Sequence, residues 1–169
     1  MSLGGKNLKI LGIDPSYKRT GFAVIENERL LYHNSLDLKA IETKKVKRKI
    51  IKEFIKKIED GYSPNKIVIE RARLFSKGFI SMKTVIALGS LVSAVVDATD
   101  LDVYSVDSRS FKSRVIGSAK CSKDDVIRWV TFKFEVHVNE DEADAIAIAF
   151  YPFVINPLKD SSLLRKENN

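Results

Sequence analysis

The chain reads as an α/β protein built on a mixed five-stranded sheet flanked by helices. Three observations predict this. Three strand-like runs stand close together at the N-terminal end, joined by short polar turns, which is the pattern of an antiparallel meander. Two further apolar strands follow, each preceded by a helix-period segment, which is the pattern of parallel crossovers. A chain of 169 residues that is 44% hydrophobic has enough apolar material for one sizeable core. Residues 1–158 are therefore expected to form a single domain, and the polar stretch 159–169 a loose tail.

The elements follow in order. Residues 8–14 (Leu-Lys-Ile-Leu-Gly-Ile-Asp) form the first strand, and Pro15-Ser16-Tyr17-Lys18-Arg19-Thr20 a turn. Residues 21–26 and 30–36 are the second and third strands, joined through Glu26-Asn27-Glu28 as a hairpin. Residues 44–60 form an amphipathic helix, with Val46, Ile50, Ile51, Phe54, Ile55 and Ile58 as its apolar stripe. Lys45, Lys49, Lys52 and Lys56 lie on its other face, and Gly61 is the expected stop. Residues 67–70 are a continuously apolar, hence buried, strand. Residues 81–98 are apolar almost all round, so this helix is buried or interfacial. Residues 102–106 are the fifth strand, parallel with the first and fourth. A short helix over 108–115 leads to the loop 117–121. Ser122 caps a helix reaching Phe132, with Asp125 in the reciprocal position of a capping box. Asn139 caps the last helix, which runs to Tyr151, where Pro152 and Pro157 discourage continuation.

Four carboxylates carry the chemistry. Asp14 and Glu70 each end an apolar strand, where an acid is costly to bury unless it is paired or metal-bound. Asp141 and Asp144 are three apart at the start of an apolar helix and share a face. Clustered carboxylates repel one another unless a cation sits among them, and hard oxygen ligands suit Mg²⁺, with Mn²⁺ as a substitute. Two such ions can activate a water and stabilise a leaving oxygen in phosphodiester cleavage. The plainer readings are a turn role for Asp14, an ion pair with Arg71 or Arg73 for Glu70, and compensation of the helix dipole for Asp141. His33 and His137 are expected to have surface or strand roles, and Trp129 a packing role.

The net charge of +7 and a pI near 9.4 favour an acidic partner, nucleic acid above all. No apolar run has the length of a membrane span, and no signal peptide is expected at the N-terminus. The single cysteine, Cys121, excludes an internal disulfide and a cysteine-rich zinc site. No small-molecule cofactor is expected. A cytoplasmic setting, in a bacterial cell or phage-infected host, fits these features.

Several segments resemble the RuvC-type Holliday-junction resolvases, within the RNase H-like superfamily, and divergent phage members in particular. Leu11-Gly12-Ile13-Asp14-Pro15 followed by Thr20-Gly21-Phe22-Ala23-Val24-Ile25 looks like that family's first strand and hairpin. Val68-Ile69-Glu70 looks like its second acidic strand. Phe111-Lys112, then Val115-Ile116-Gly117-Ser118-Ala119, then Lys123 resemble its basic DNA-contacting segment. The run from Asp141 to Ala149 resembles its closing helix with paired carboxylates. The resemblance implies an RNase H-like fold and a homodimeric endonuclease that nicks branched DNA with two Mg²⁺ ions per active site. Asp14, Glu70, Asp141 and Asp144 would be both catalytic residues and metal ligands. Lys112 and Lys123 would hold phosphates near the cut.

Two departures from that family's pattern stand out. Ser16 follows the Asp-Pro pair where the family has glycine. Arg73 stands where the family has an aromatic that probes the junction centre, with Phe75 and Phe79 nearby as substitutes. Arg73 and Phe75 are therefore counted as DNA-contacting candidates, and relaxed selectivity among four-way, three-way and other branched forms is expected. The alternatives are a nuclease of this fold acting on structured RNA and a non-catalytic branched-DNA-binding protein. An actin-like ATPase is disfavoured, because its nucleotide cleft needs two domains.

Overall fold

The computed structural model describes residues 7–71 and 81–155. Its strands are β1 (Lys9–Asp14), β2 (Arg19–Glu26), β3 (Arg29–Asp37), β4 (Lys66–Glu70) and β5 (Val103–Val106). Its helices are α1 (Lys44–Tyr62), α2 (Met82–Asp97), α3 (Ser108–Phe111), α4 (Lys123–Phe134) and α5 (Glu140–Val154), with a π-helical turn over Lys112–Ile116 after α3. The five strands form one sheet in the order β3-β2-β1-β4-β5. The meander β1–β2–β3 is antiparallel, while β1, β4 and β5 run parallel, so the mixed sheet expected from the sequence is the one observed. The β2–β3 hairpin turns on Asn27 and Glu28, both in the left-handed region (φ 47° and 66°), which matches the twist of the flanking strands.

Strand alternation divides the core in two. Ile10, Ala23, Ile25, Val68, Tyr104 and Val106 face a layer made by α5 with α3 and α4. Leu11, Ile13, Phe22, Val24, Ile67, Ile69 and Val103 face the opposite layer of α1 and α2. The two-residue period then fixes the sides of their neighbours. Asp14 shares the face of Ile10, and Glu70 that of Val68, so both acids end their strands on the α5 side.

Several boundaries differ from expectation. Gly61 lies inside α1, and the stop is Ser63, whose left-handed backbone (φ 49°) lets its N–H reach the Glu59 carbonyl at 2.9 Å. The buried stripe of α1 is Lys47, Ile51, Ile55 and Ile58, while Val46 is exposed. The segment after β5 is not one helix: α3 ends at Phe111 and the chain widens into the π-turn, closed by Gly117 at φ 97°. α4 continues to Phe134. Pro152 does not end α5, because it removes only one N–H near the terminus while buried Tyr151 and Ile155 hold the last turn against the core. One side of α2 (Ala87, Leu91, Ala94, Val95) is core, whereas Met82 and Ile86 are exposed. Among the described residues no helix is long and apolar enough to cross a membrane. Arg73, Phe75, Phe79 and the tail 159–169 lie outside the described residues.

Candidate active site

Two glycines let α5 settle onto the ends of β1 and β2. A Cβ at Gly21 would fall on the Asp141 carbonyl, and one at Gly12 would collide with the Ala145 carbonyl and with Ala149. Any side chain at either position would lift the helix off the sheet. With both absent, the first turns of α5 pack beside the C-terminal end of β1, where Asp14 is paired with Gly21. The parallel register Ile13–Ile69 sets Glu70 alongside Asp14 on the neighbouring strand. Asn139 caps α5 by accepting from the Glu142 N–H at 3.0 Å, and Glu142 accepts in return from the Asn139 N–H at 3.3 Å. That capping box fixes where the helix starts, and with it the positions of Asp141 and Asp144.

The electrostatics show that these acids act on one another. Enclosure by protein, followed by the charges of Glu70, Asp144 and Asp141, holds the Asp14 carboxyl well above the usual range. The Asp14 and Glu70 carboxyls also lie within hydrogen-bond reach, an arrangement that needs a shared proton or a cation between them. Burial pushes Asp144 from its ordinary 3.8 up to about 6; Lys112 and Lys123 oppose the rise, while Glu70 and Asp141 add to it. Asp141 is raised by burial as well, against the pull of Arg19 and Lys123. As placed, no group of three or more His, Cys, Asp or Glu side chains among the described residues could hold a metal ion. The donor set is nonetheless all oxygen, with several carboxylates penalised for carrying their charge, and that chemistry fits a hard divalent cation.

Cations ring the acids. Lys112 opens the π-turn, and its charge stabilises ionised Asp144. Lys123, at the start of α4, pairs with Glu140 at 2.5 Å, and its charge reaches Asp141 and Asp144. Both lysines singled out from the sequence therefore border the carboxylates. Arg19 was not singled out. Its guanidinium stands 3.8 Å from Asp141 and 3.3 Å from Asp37. Strand alternation puts Arg19 on the face of Gly21, and it is the packing of α5 over Gly21, visible only in the fold, that brings Arg19 to Asp141. His33 has a structural contact after all, with its Nδ1 3.2 Å from Glu142 in the α5 cap. Trp129 is half-buried and packs edge-on against Phe134 and Phe150 at the margin of the core, the packing role expected of it.

The comparisons with known proteins agree with one another. The family model "Crossover junction endodeoxyribonuclease RuvC" matches residues 10–151. A relative of that name from Rickettsia bellii is 28% identical over 148 residues, covering 83% of this chain and 94% of the relative. One from Akkermansia muciniphila is 28% identical over 169 residues, covering 94% and 99%. Another, from Xylella fastidiosa, is 30% identical over 148 residues, covering 83% and 85%. These relatives are bacterial, and none bears on the phage detail. Among solved structures, Thermus thermophilus RuvC in complex with a Holliday junction substrate superposes with a TM-score of 0.75 at 20% identity, covering 87% of this chain and 93% of that one. The yeast mitochondrial Holliday junction resolvase has a TM-score of 0.59 at 14% identity, covering 88% and 78%.

Proposed function

This chain belongs to the RuvC family of crossover junction endodeoxyribonucleases, and on that premise we propose that it is a metal-dependent, structure-selective endonuclease that nicks branched DNA. The observation that carries the metal reading is the cluster at the end of the sheet in which Asp14, Asp141 and Asp144 are each held above the usual carboxylate range, with the Glu70 charge adding to the rise at Asp14 and Asp144. At neutral pH such a cluster needs positive charge among its members. When bound, two divalent ions would supply a water of lowered pKa and neutralise the leaving oxygen.

The remaining roles belong to the chain's own residues. Asp14 and Asp144 would hold the ions, with Glu70 and Asp141 completing the set, after side-chain readjustment from the positions seen here. Lys112 and Lys123 would grip phosphates on either side of the reacting one, and the polarity implied by the family resemblance leaves a 3′-hydroxyl and a 5′-phosphate. Arg73 and Phe75 remain candidates for contact with the branch point. Without metal Asp144 loses its proton near pH 6, so the affinity of the site for Mg²⁺ should rise with pH through that region, as a Mg²⁺ titration at several pH values would read.

The substrate class is tested by offering the protein end-labelled four-way DNA, three-way DNA, linear duplex and structured RNA, each with Mg²⁺. Nicking of both branched DNAs with linear duplex left whole supports the proposal. Preferential cutting of the RNA would replace it with the RNA-processing alternative, and tight junction binding without any cutting would replace it with the non-catalytic one. The phosphate contacts have their own test. Lys112→Ala and Lys123→Ala should each flatten the plot of log affinity against log salt by about one unit, because each contact releases about one counterion. An unchanged slope in both variants would move the DNA surface elsewhere.

A homodimer would suit the two-fold symmetry of a four-way junction. The exposed apolar side chains Met82 (72% exposed) and Ile86 (55%) on α2 support this face as its contact. Leu91 is only 1% exposed, so a charge there would unfold the domain rather than report on association. Ile86→Glu should instead give a folded monomer by light scattering, and a folded Ile86→Glu dimer would place the interface elsewhere.

A further inference from the structure

The turn that leaves Asp14 closes over a buried lysine. Lys47, in the first half of α1, is only 3% exposed. Its Nζ donates to the Tyr17 carbonyl at 2.8 Å and sits 3.6 Å from the centre of the Tyr17 ring. Among the described residues no carboxylate forms an ion pair with it, and burial pushes its pKa down. An ammonium withdrawn from water with only a carbonyl and a ring face for company is costly, and a Leu or Met would fill the same place without that cost. Tyr17 takes one of its three N–H donors.

A cleft of about 400 Å³ opens beside it, lined by Tyr17, Lys18, Lys39, Ile41, Glu42 and Lys47. Three lysines and one carboxylate, Glu42, line it, and Asp37 lies close enough to Lys39 to feel its charge. Ile41, Glu42 and Lys47 bracket Thr43, the N-cap of α1, and the first turn of that helix carries no acidic residue. Within the helix nothing acidic offsets the positive end of the dipole, and Glu42, just before the cap, is the one carboxylate of the lining near it. Tyr17 follows Asp14 by three residues, a separation of at most about 11 Å along the chain. The grooves of B-DNA are roughly 6 and 12 Å wide between the surfaces of their phosphates, a separation on the same scale.

We propose that this cleft is a second anion site, which takes a backbone phosphate of the branched DNA close to the bond presented to Asp14. The site lies on the α1 side of the sheet, around its end from the carboxylates, so a duplex lying across that end reaches both. It would fix the register of the duplex and carry no sequence information. The proposal rests on the branched-DNA reading above.

The test pairs Lys47→Met with single neutral methylphosphonates placed, one at a time, at each phosphate near the cut on both strands. Methionine keeps the length and flexibility of the stem, so the variant should melt at or above the wild-type temperature. It should bind the junction about tenfold more weakly, with a salt slope lower by about one. One neutral position should weaken wild-type binding about tenfold and leave Lys47→Met changed by less than about twofold. Wild-type affinity in Lys47→Met, or equal loss in both proteins at every position, overturns the proposal. Should Lys47→Met fail to fold, the exposed pair Lys18→Ala and Lys39→Ala enters the same cycle, judged by the same outcomes. If inorganic phosphate raises the melting temperature of wild type but not of Lys47→Met while no neutral DNA position separates them, the cleft serves free phosphate and the DNA assignment is wrong. Wild-type protein that binds no branched DNA overturns the branched-DNA reading itself, and that is seen before any variant is compared.

Discussion

Asp14→Asn should reduce junction nicking by at least about 1000-fold while changing junction affinity by less than about threefold. The two effects separate for a physical reason. Asp14 is the residue on which the other acids converge: Glu70, Asp144 and Asp141 all act on its carboxyl. Asparagine keeps the size of the side chain but offers one neutral oxygen, so the ligand charge that would hold two divalent ions falls and the attacking water is no longer activated. Affinity depends instead on the basic groups around the site, Lys112 and Lys123 among them, which the substitution leaves in place. Single-turnover cleavage and an equilibrium binding assay on the same four-way DNA read the two quantities. Nicking by Asp14→Asn at the wild-type rate would remove Asp14 from the chemistry.

Asp144→Asn should stabilise the protein in EDTA at pH 8, by roughly 3–8 °C in melting temperature. Asp144 has a carboxyl raised from 3.8 to about 6. The folded state therefore binds this proton more tightly than the unfolded chain does. The associated stability is fully present below about pH 4 and is lost as pH rises through about 6. A shift of this size corresponds to at most about 3 kcal/mol, shared among coupled neighbours. Asparagine cannot ionise and so avoids the loss. The stabilisation should accordingly vanish near pH 4, and added Mg²⁺ should raise the melting temperature of wild type at pH 8 more than that of the variant. A variant that melts at or below wild type in EDTA at pH 8 would mean that the carboxylates do not strain the fold.

The strands and long helices were legible in the sequence because β1, β2 and β4 are buried on both faces and α1 on one. The apolar runs in residues 8–14 and 21–26 and the helical stripe through Ile51, Ile55 and Ile58 have no other economical reading. Asp14, Glu70, Asp141 and Asp144 were legible for the converse reason: an acid at the end of an apolar run has to be explained. The features that escaped depend on contacts between distant segments. Lysine is usually solvated, so nothing local distinguished buried Lys47 from exposed Lys45 or Lys49. The need for glycine at 12 and 21 comes from the close approach of α5, which is contributed from more than a hundred residues away. Arg19 acquires its partner Asp141 through the same packing. The π-turn at Lys112–Ile116 has no simple periodic signature, and a continuous helix was the natural expectation there.

The central claim is that the four carboxylates work through divalent metal. The most direct measurement is the single-turnover nicking rate on a labelled four-way DNA as Mg²⁺ is titrated upward from EDTA, with junction binding followed in the same samples. The account predicts bound but intact DNA in EDTA, and a rate that climbs with more than the first power of Mg²⁺ before it saturates, as two ions fill one site. Nicking in EDTA at the rate seen in saturating Mg²⁺ would contradict it.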